Sequence, residues 1–187
     1  MDLLSKLFPI SILLFLFACS TNGQNSESNM DLHELQKHIE NMTYNEAISD
    51  TDDEKRVEKP EEEWKEVLSS GEFRILRKRG TEMPYINEYD GFYEDGVYVC
   101  RACGNPLFHS DSKYNSRTGW PSFYEPVRPG AVGEEVDNSF FMTRTETVCA
   151  RCDSHIGHVF EDGPDPTGLR YCMNSQAMKF IPKDEVE

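Results

Sequence analysis

The chain has 187 residues, enough for one ordinary domain with extra segments or for two small domains, and too few for a large multidomain assembly. Its 34 acidic against 19 basic residues give a formal charge of -15, a sign that repels phosphate backbones and leaves little electrostatic basis for nucleic-acid binding. An apolar share of 37% is below the globular norm, so either the core is small or part of the chain is solvated tail.

The first residues read as an export signal. Residues 7–18 are apolar apart from Pro9 and Ser11 and follow Lys6 and the terminal amine. The run has the length of a secretory apolar region and falls short of the roughly 20 residues that a membrane-spanning helix needs. It ends in Leu16-Phe17-Ala18-Cys19, which resembles the lipobox of bacterial lipoproteins, where a small residue precedes a cysteine that is acylated and becomes the first residue after cleavage. The resemblance implies a signal peptide over 1–18, lipid on Cys19, and an extracytoplasmic, membrane-anchored lipoprotein on a periplasmic or cell-surface face. An ordinary signal peptide with an incidental cysteine is the alternative, and Asp2 makes the leading segment less basic than such signals usually are.

Residues 19–60 are expected to form an acidic, flexible tether, since from Ser20 onward the composition turns to Ser, Asn, Asp and Glu with a net charge of about -6. Leu32, Leu35, Ile39 and Met42 recur at helical spacing within it, consistent with a short amphipathic helix or with a solvated spacer. The domain proper is expected over 61–187. Pro60 followed by Glu61, Glu62 and Glu63 marks a helix start, and Trp64, Val67 and Leu68 then share a face. A second helix is expected over 72–79, stopped by Gly80. Beyond it, Gly and Pro recur every few residues between short aromatic and β-branched runs at 97–99, 140–142, 145–148 and 177–181, the texture of an antiparallel β domain.

After Cys19 come five cysteines, four of them in two Cys-x-x-Cys units, Cys100/Cys103 and Cys149/Cys152. Two such turns can bring four thiolates around one tetrahedral Zn²⁺. The gap between the pairs exceeds that of a usual zinc ribbon, so redox dithiols or disulfides remain rival readings. A closed four-thiolate zinc has no open coordination position; it would staple the domain and do no chemistry.

Cys172 is left over. In an extended strand Arg170, Cys172 and Asn174 share one face, where a cation favours thiolate and an amide can donate; an inert buried cysteine is the bland alternative. His155 and His158 follow the second Cys pair directly and can serve as proton donors near neutral pH, or as metal ligands. Trp120, within Gly119-Trp120-Pro121-Ser122-Phe123, is a core residue or the wall of a small apolar pocket.

Together, Trp64-Lys65-Glu66-Val67-Leu68, both Cys pairs, the Gly119 to Phe123 stretch, His155-Ile156-Gly157-His158-Val159-Phe160 and the residues from Arg170 to Phe180 resemble the B-type methionine sulfoxide reductases, over 61–183. The resemblance implies a mainly β fold of two small antiparallel sheets with short N-terminal helices beside them, stapled by one structural zinc, with no organic cofactor. It implies reduction of methionine-R-sulfoxide in oxidised proteins. Cys172 would be the nucleophile, His155, His158 and Asn174 would orient and protonate the sulfoxide oxygen, Arg170 would stabilise the thiolate, and Trp120 and Phe160 would enclose the methyl group. Many relatives carry a second cysteine just before the Gly-Trp-Pro-Ser-Phe stretch, where this chain has Thr118. The expected reductant of a Cys172 sulfenic acid is therefore external, a thioredoxin-like donor or a small thiol. Two rivals stand beside this reading: a noncatalytic zinc-knuckle binding module on a lipid tether, and a thiol-disulfide oxidoreductase using the Cys-x-x-Cys pairs.

Overall fold

The structure is a computed structural model that describes residues 31–50, 56–139 and 142–183. The export signal, the lipobox and Cys19 lie outside the described residues. Four short helices precede the strands: α1 (Leu32–Glu40), α2 (Tyr44–Ser49), α3 (Glu61–Val67) and α4 (Ser70–Lys78).

Composition alone places α1 and α2 in the tether, and here the structure differs. Leu32, Leu35, Ile39 and Ala47 are buried in the same core as the β domain, so the amphipathic option describes this stretch and the solvated spacer does not. Local chemistry supports both helices. The Asp31 side chain caps α1, and Thr43 and Glu46 form a reciprocal capping box on α2. The acidic residues sit mainly on the exposed faces, which is how a net negative segment can still pack.

Pro60 occupies the cap position of α3, with Glu61, Glu62 and Glu63 in the first turn, as the sequence suggests. α4 begins two residues earlier than expected because Ser69 and Glu72 make a second capping box. Its stop also differs. The left-handed residue is Arg79, at φ 52°, whereas Gly80 is needed for space: a Cβ there would come within 2.7 Å of the Arg74 carbonyl oxygen.

Among the described residues nine antiparallel strands follow: β1 (Gly96–Cys100), β2 (Pro106–His109), β3 (Lys113–Tyr114), β4 (Ser122–Phe123), β5 (Val132–Asp137), β6 (Arg144–Cys149), β7 (His155–Phe160), β8 (Arg170–Met173) and β9 (Met178–Pro182). They form a three-stranded sheet in the order β2-β1-β9 and a six-stranded sheet in the order β3-β4-β8-β7-β6-β5. Of the expected run at 140–142, the first two residues lie outside the described residues and Met142 is exposed and outside any strand. Aromatic rings bridge the sheets: Tyr98 of β1 meets Phe123 of β4 edge-on at 5.0 Å, and Phe123 stacks on Phe108 of β2 at 4.5 Å. Trp64 is fully buried, with the Arg77 guanidinium 5.3 Å from its ring centre, which joins α3 to α4.

Candidate active site

Strand register builds the site. Cys172 on β8 lies directly opposite Ser122 on β4 and His158 on β7. Directly opposed residues project from the same face of a sheet, and so do their neighbours two positions along. The row Ser122–Cys172–His158 therefore shares its face with Trp120, Arg170, Asn174, Phe160 and Glu146, the last opposite His158 on β6. The expectation that Arg170, Cys172 and Asn174 converge on one face agrees with the observed strand.

His155 needs a further device. Three residues from His158, it would point to the opposite face of a regular strand. The pairing of β6 with β7 slips at this point: Thr147 opposes Gly157 while the adjacent Val148 opposes His155. The extra residue, Ile156, goes into the core, and both imidazoles end up on one side with ring centres 5.4 Å apart.

Trp120, His158, Phe160, Cys172 and Asn174 surround a cavity of about 150 Å³. That volume accommodates a CH₂–S(O)–CH₃ terminus. Four of the expected residues line this cavity with Cys172, Arg170 interacts with the Cys172 thiol as well, and His155 is set apart. His155 lines an adjoining cavity of about 280 Å³ that shares Thr81, Arg144 and His158 with the first.

Hydrogen bonds fix each side chain. His158 Nε2 meets Asp137 Oδ2 at 2.9 Å, and Arg144 bonds the same oxygen at 2.7 Å. His155 Nδ1 meets Glu146 Oε1 at 2.7 Å, while its Nε2 is buried with no protein partner. Burial pushes His155 down to about 4, and pushes Glu146 up against the pull of Arg79, whose Nε lies 3.2 Å from Glu146 Oε1. Burial also lowers His158, against the pull of the Asp137 carboxylate. Asp137 itself is held well below the usual carboxylate range by Ser139 first and His158 next.

Cys172 is half-buried, and burial pushes its thiol up; Arg170, Thr118 and Ser122 pull the other way without reversing the shift. The resting group at neutral pH is thus the thiol. Arg170 is locked by a bidentate pair with Asp162 at 2.8 and 2.9 Å and stacks over Phe160, 4.3 Å from its ring centre. Thr118 Oγ1 stands 4.0 Å from Cys172 Sγ, so the departure noted in the sequence falls beside that sulfur.

Sequence reasoning missed Glu82. Its backbone N–H donates to Asn174 Oδ1 at 3.0 Å and its carbonyl accepts from Trp120 Nε1 at 3.1 Å. Its buried carboxylate accepts from the N–H groups of Ser175 at 2.5 Å and Gln176 at 3.1 Å. One residue thereby holds the tryptophan wall, the amide and the turn that follows the cysteine strand. Glu146 was more legible, as a carboxylate on an otherwise uncharged buried strand run, Thr145 to Val148.

The four remaining thiols form a second cluster. Cys100, Cys103, Cys149 and Cys152 place their sulfurs all within 4.8 Å of one another, with Cys100 to Cys152 at 3.8 Å and Cys103 to Cys149 at 3.6 Å. A tetrahedron with Zn–S arms of about 2.3 Å has edges of roughly 3.8 Å, so the set fits a metal ion. All four are at most 3% exposed, which opposes a redox role that requires an accessible thiol.

Residues 68–182 match the SelR domain. The chain belongs to the SelR family. Relatives of this SelR chain include proteins named peptide methionine sulfoxide reductase MsrB. That of Methanosarcina barkeri is 52% identical over 132 residues, 71% of this chain and 93% of the relative. Those of Leptospira interrogans and Thiobacillus denitrificans are each 52% identical, over 66% and 67% of this chain and 95% and 96% of their own lengths. SelR membership accords with the mainly β fold and the four-cysteine cluster.

Proposed function

We propose that this SelR chain reduces methionine-R-sulfoxide in proteins and peptides to methionine, with Cys172 as nucleophile. The reading rests chiefly on one observation: a half-buried thiol in a cross-strand row with a histidine, at the wall of a cavity sized for a methyl sulfoxide. Cys172 sulfur attacks the sulfoxide sulfur, the S–O oxygen ends on cysteine carrying the thiol proton, and methionine leaves, giving a sulfenic acid. His158, backed by Asp137, carries the proton during the transfer, and Asn174 donates to the oxygen as charge builds. His155 acts from behind, through the adjoining cavity. Trp120 and Phe160 hold the methyl group, so the S epimer would aim its oxygen away from these donors. Two external thiols then return Cys172 to the thiol, releasing water and a disulfide.

The four-cysteine site is assigned to zinc, in a closed structural role. Lipid on Cys19 would anchor the chain outside the cytoplasm, in a bacterial membrane, by the residues 20–30. Mass analysis of membrane fractions that found Cys19 unmodified would remove this anchor. The activity is tested with resolved epimers. The chain should consume the R epimer only, Cys172→Ser should consume neither, and turnover by Cys172→Ser would defeat the assignment.

A further inference from the structure

The segment before α3 does more than lengthen the chain. Each Cys-x-x-Cys turn has two carbonyls between its cysteines, and all four accept hydrogen bonds from residues 36–57. Gln36 Nε2 donates to Arg101 O at 3.2 Å and Ala102 O at 3.0 Å on the first turn. Arg56 Nη1 donates to Ala150 O at 2.7 Å, and the Val57 N–H to Arg151 O at 2.9 Å, on the second. Ion pairs follow the same pattern: Glu40 with Arg101 at 3.1 Å, Asp50 with Arg151 at 2.8 Å, and Arg56 with Asp153. Ile39 and Met42 close over the first turn so tightly that a Cβ on Gly104 would lie 3.1 Å and 3.0 Å from their side chains.

These contacts are made by residues ahead of the family-matched region, which begins at 68. In the three relatives the match leaves only 4–7% of each protein uncovered, a remainder shorter than the stretch from Leu32 to Ser49. The stretch from Leu32 to Ser49 thus has no counterpart of its length outside the matched part of those proteins.

A metal bound by four thiolates leaves when a competing ligand reaches the ion or its sulfurs, so the rate depends on access as well as on affinity. We propose that the described residues 36–50, together with Arg56 and Val57, form a clasp that governs metal exchange at the four-cysteine site. While it is seated, external thiols and chelators reach the ion only when the segment opens. The inference rests on the assignment of a metal to these cysteines, and the test separates the two.

The full chain is loaded with one zinc and mixed with excess 4-(2-pyridylazo)resorcinol, and zinc release is followed by absorbance. The paired substitution Gln36→Ala with Arg56→Ala, and separately Ile39→Ala, should speed release roughly tenfold or more, by lowering the free energy of local opening. Val159→Ala, which removes buried volume from β7 away from the clasp, reports the effect of general destabilisation and should speed release far less at a matched loss of Tm. Equal release from the clasp variants and the parent, or equal acceleration by Val159→Ala, would overturn the clasp. Should the parent chain take up no zinc at all, the metal assignment fails first, and the clasp with it.

Discussion

Replacing Thr118 by cysteine would set a second sulfur beside Cys172. The threonine oxygen is 4.0 Å from the Cys172 sulfur and 54 residues away in sequence. A disulfide needs its sulfurs about 2.05 Å apart, so the bond asks for roughly 2 Å of closure, which side-chain rotation and a small loop adjustment can supply. After one turnover the Cys172 sulfenic acid would condense with the new thiol and release water. By the chain-entropy relation a cross-link of this span removes roughly 4 kcal/mol of denatured-state freedom, before subtracting native strain. For a domain of this size that corresponds to a rise in Tm of roughly 10 °C. The assay treats Thr118→Cys and the parent with one equivalent of methionine-R-sulfoxide, then compares Tm with and without reductant and maps the peptides without reduction. The variant should hold an internal bridge and the parent none. A variant that consumes its equivalent but keeps a trappable sulfenic acid and an unchanged Tm would refute the placement of position 118 against the reactive sulfur.

Two further outcomes follow from the same geometry. Burial already holds the Cys172 thiol above its ordinary range, and Arg170 is the largest force opposing that shift, so Arg170→Gln should move the midpoint of iodoacetamide alkylation to still higher pH and slow alkylation at pH 7 severalfold. An unmoved or lower midpoint would contradict it. Glu82→Ala would strand the buried Ser175 N–H at about 1–3 kcal/mol and free the part-buried Gln176 N–H, lowering Tm and kcat/KM together, and Glu82→Gln should recover part of both by restoring one acceptor oxygen. Equal stability and activity in Glu82→Ala would show that the turn after Cys172 holds itself.

How much of this was legible in the sequence depended on range. Cysteine pairs, the lone Cys172 and the two histidines carry chemistry in their residue types, and the start of α3 is written within the four residues from Pro60 to Glu63. The row that joins Ser122, Cys172 and His158 is not, because it depends on which strands pair and in what register. His155 is the sharpest case: period-two reasoning puts it on the wrong face, and only the slip against Thr147 and Val148 returns it. Glu82 left no trace because what it does runs through backbone atoms that any residue possesses, plus a carboxylate in a polar stretch. The acidic segment from Leu32 to Ser49 misleads for a different reason, since net charge is set by the wet face of a helix while packing is set by the few apolar residues on the dry one.

One hairpin connects the two chemistries of the molecule. β6 carries Glu146 and ends on Cys149, β7 begins with His155, and Cys152 sits in the short elbow between them. An ion held at that elbow would work as a rivet for the buried His155–Glu146 pair, which it never touches. Its departure would slacken the hinge end of the hairpin before the ladder itself parts, so a demetallated chain would falter in proton handling while its strands were still intact.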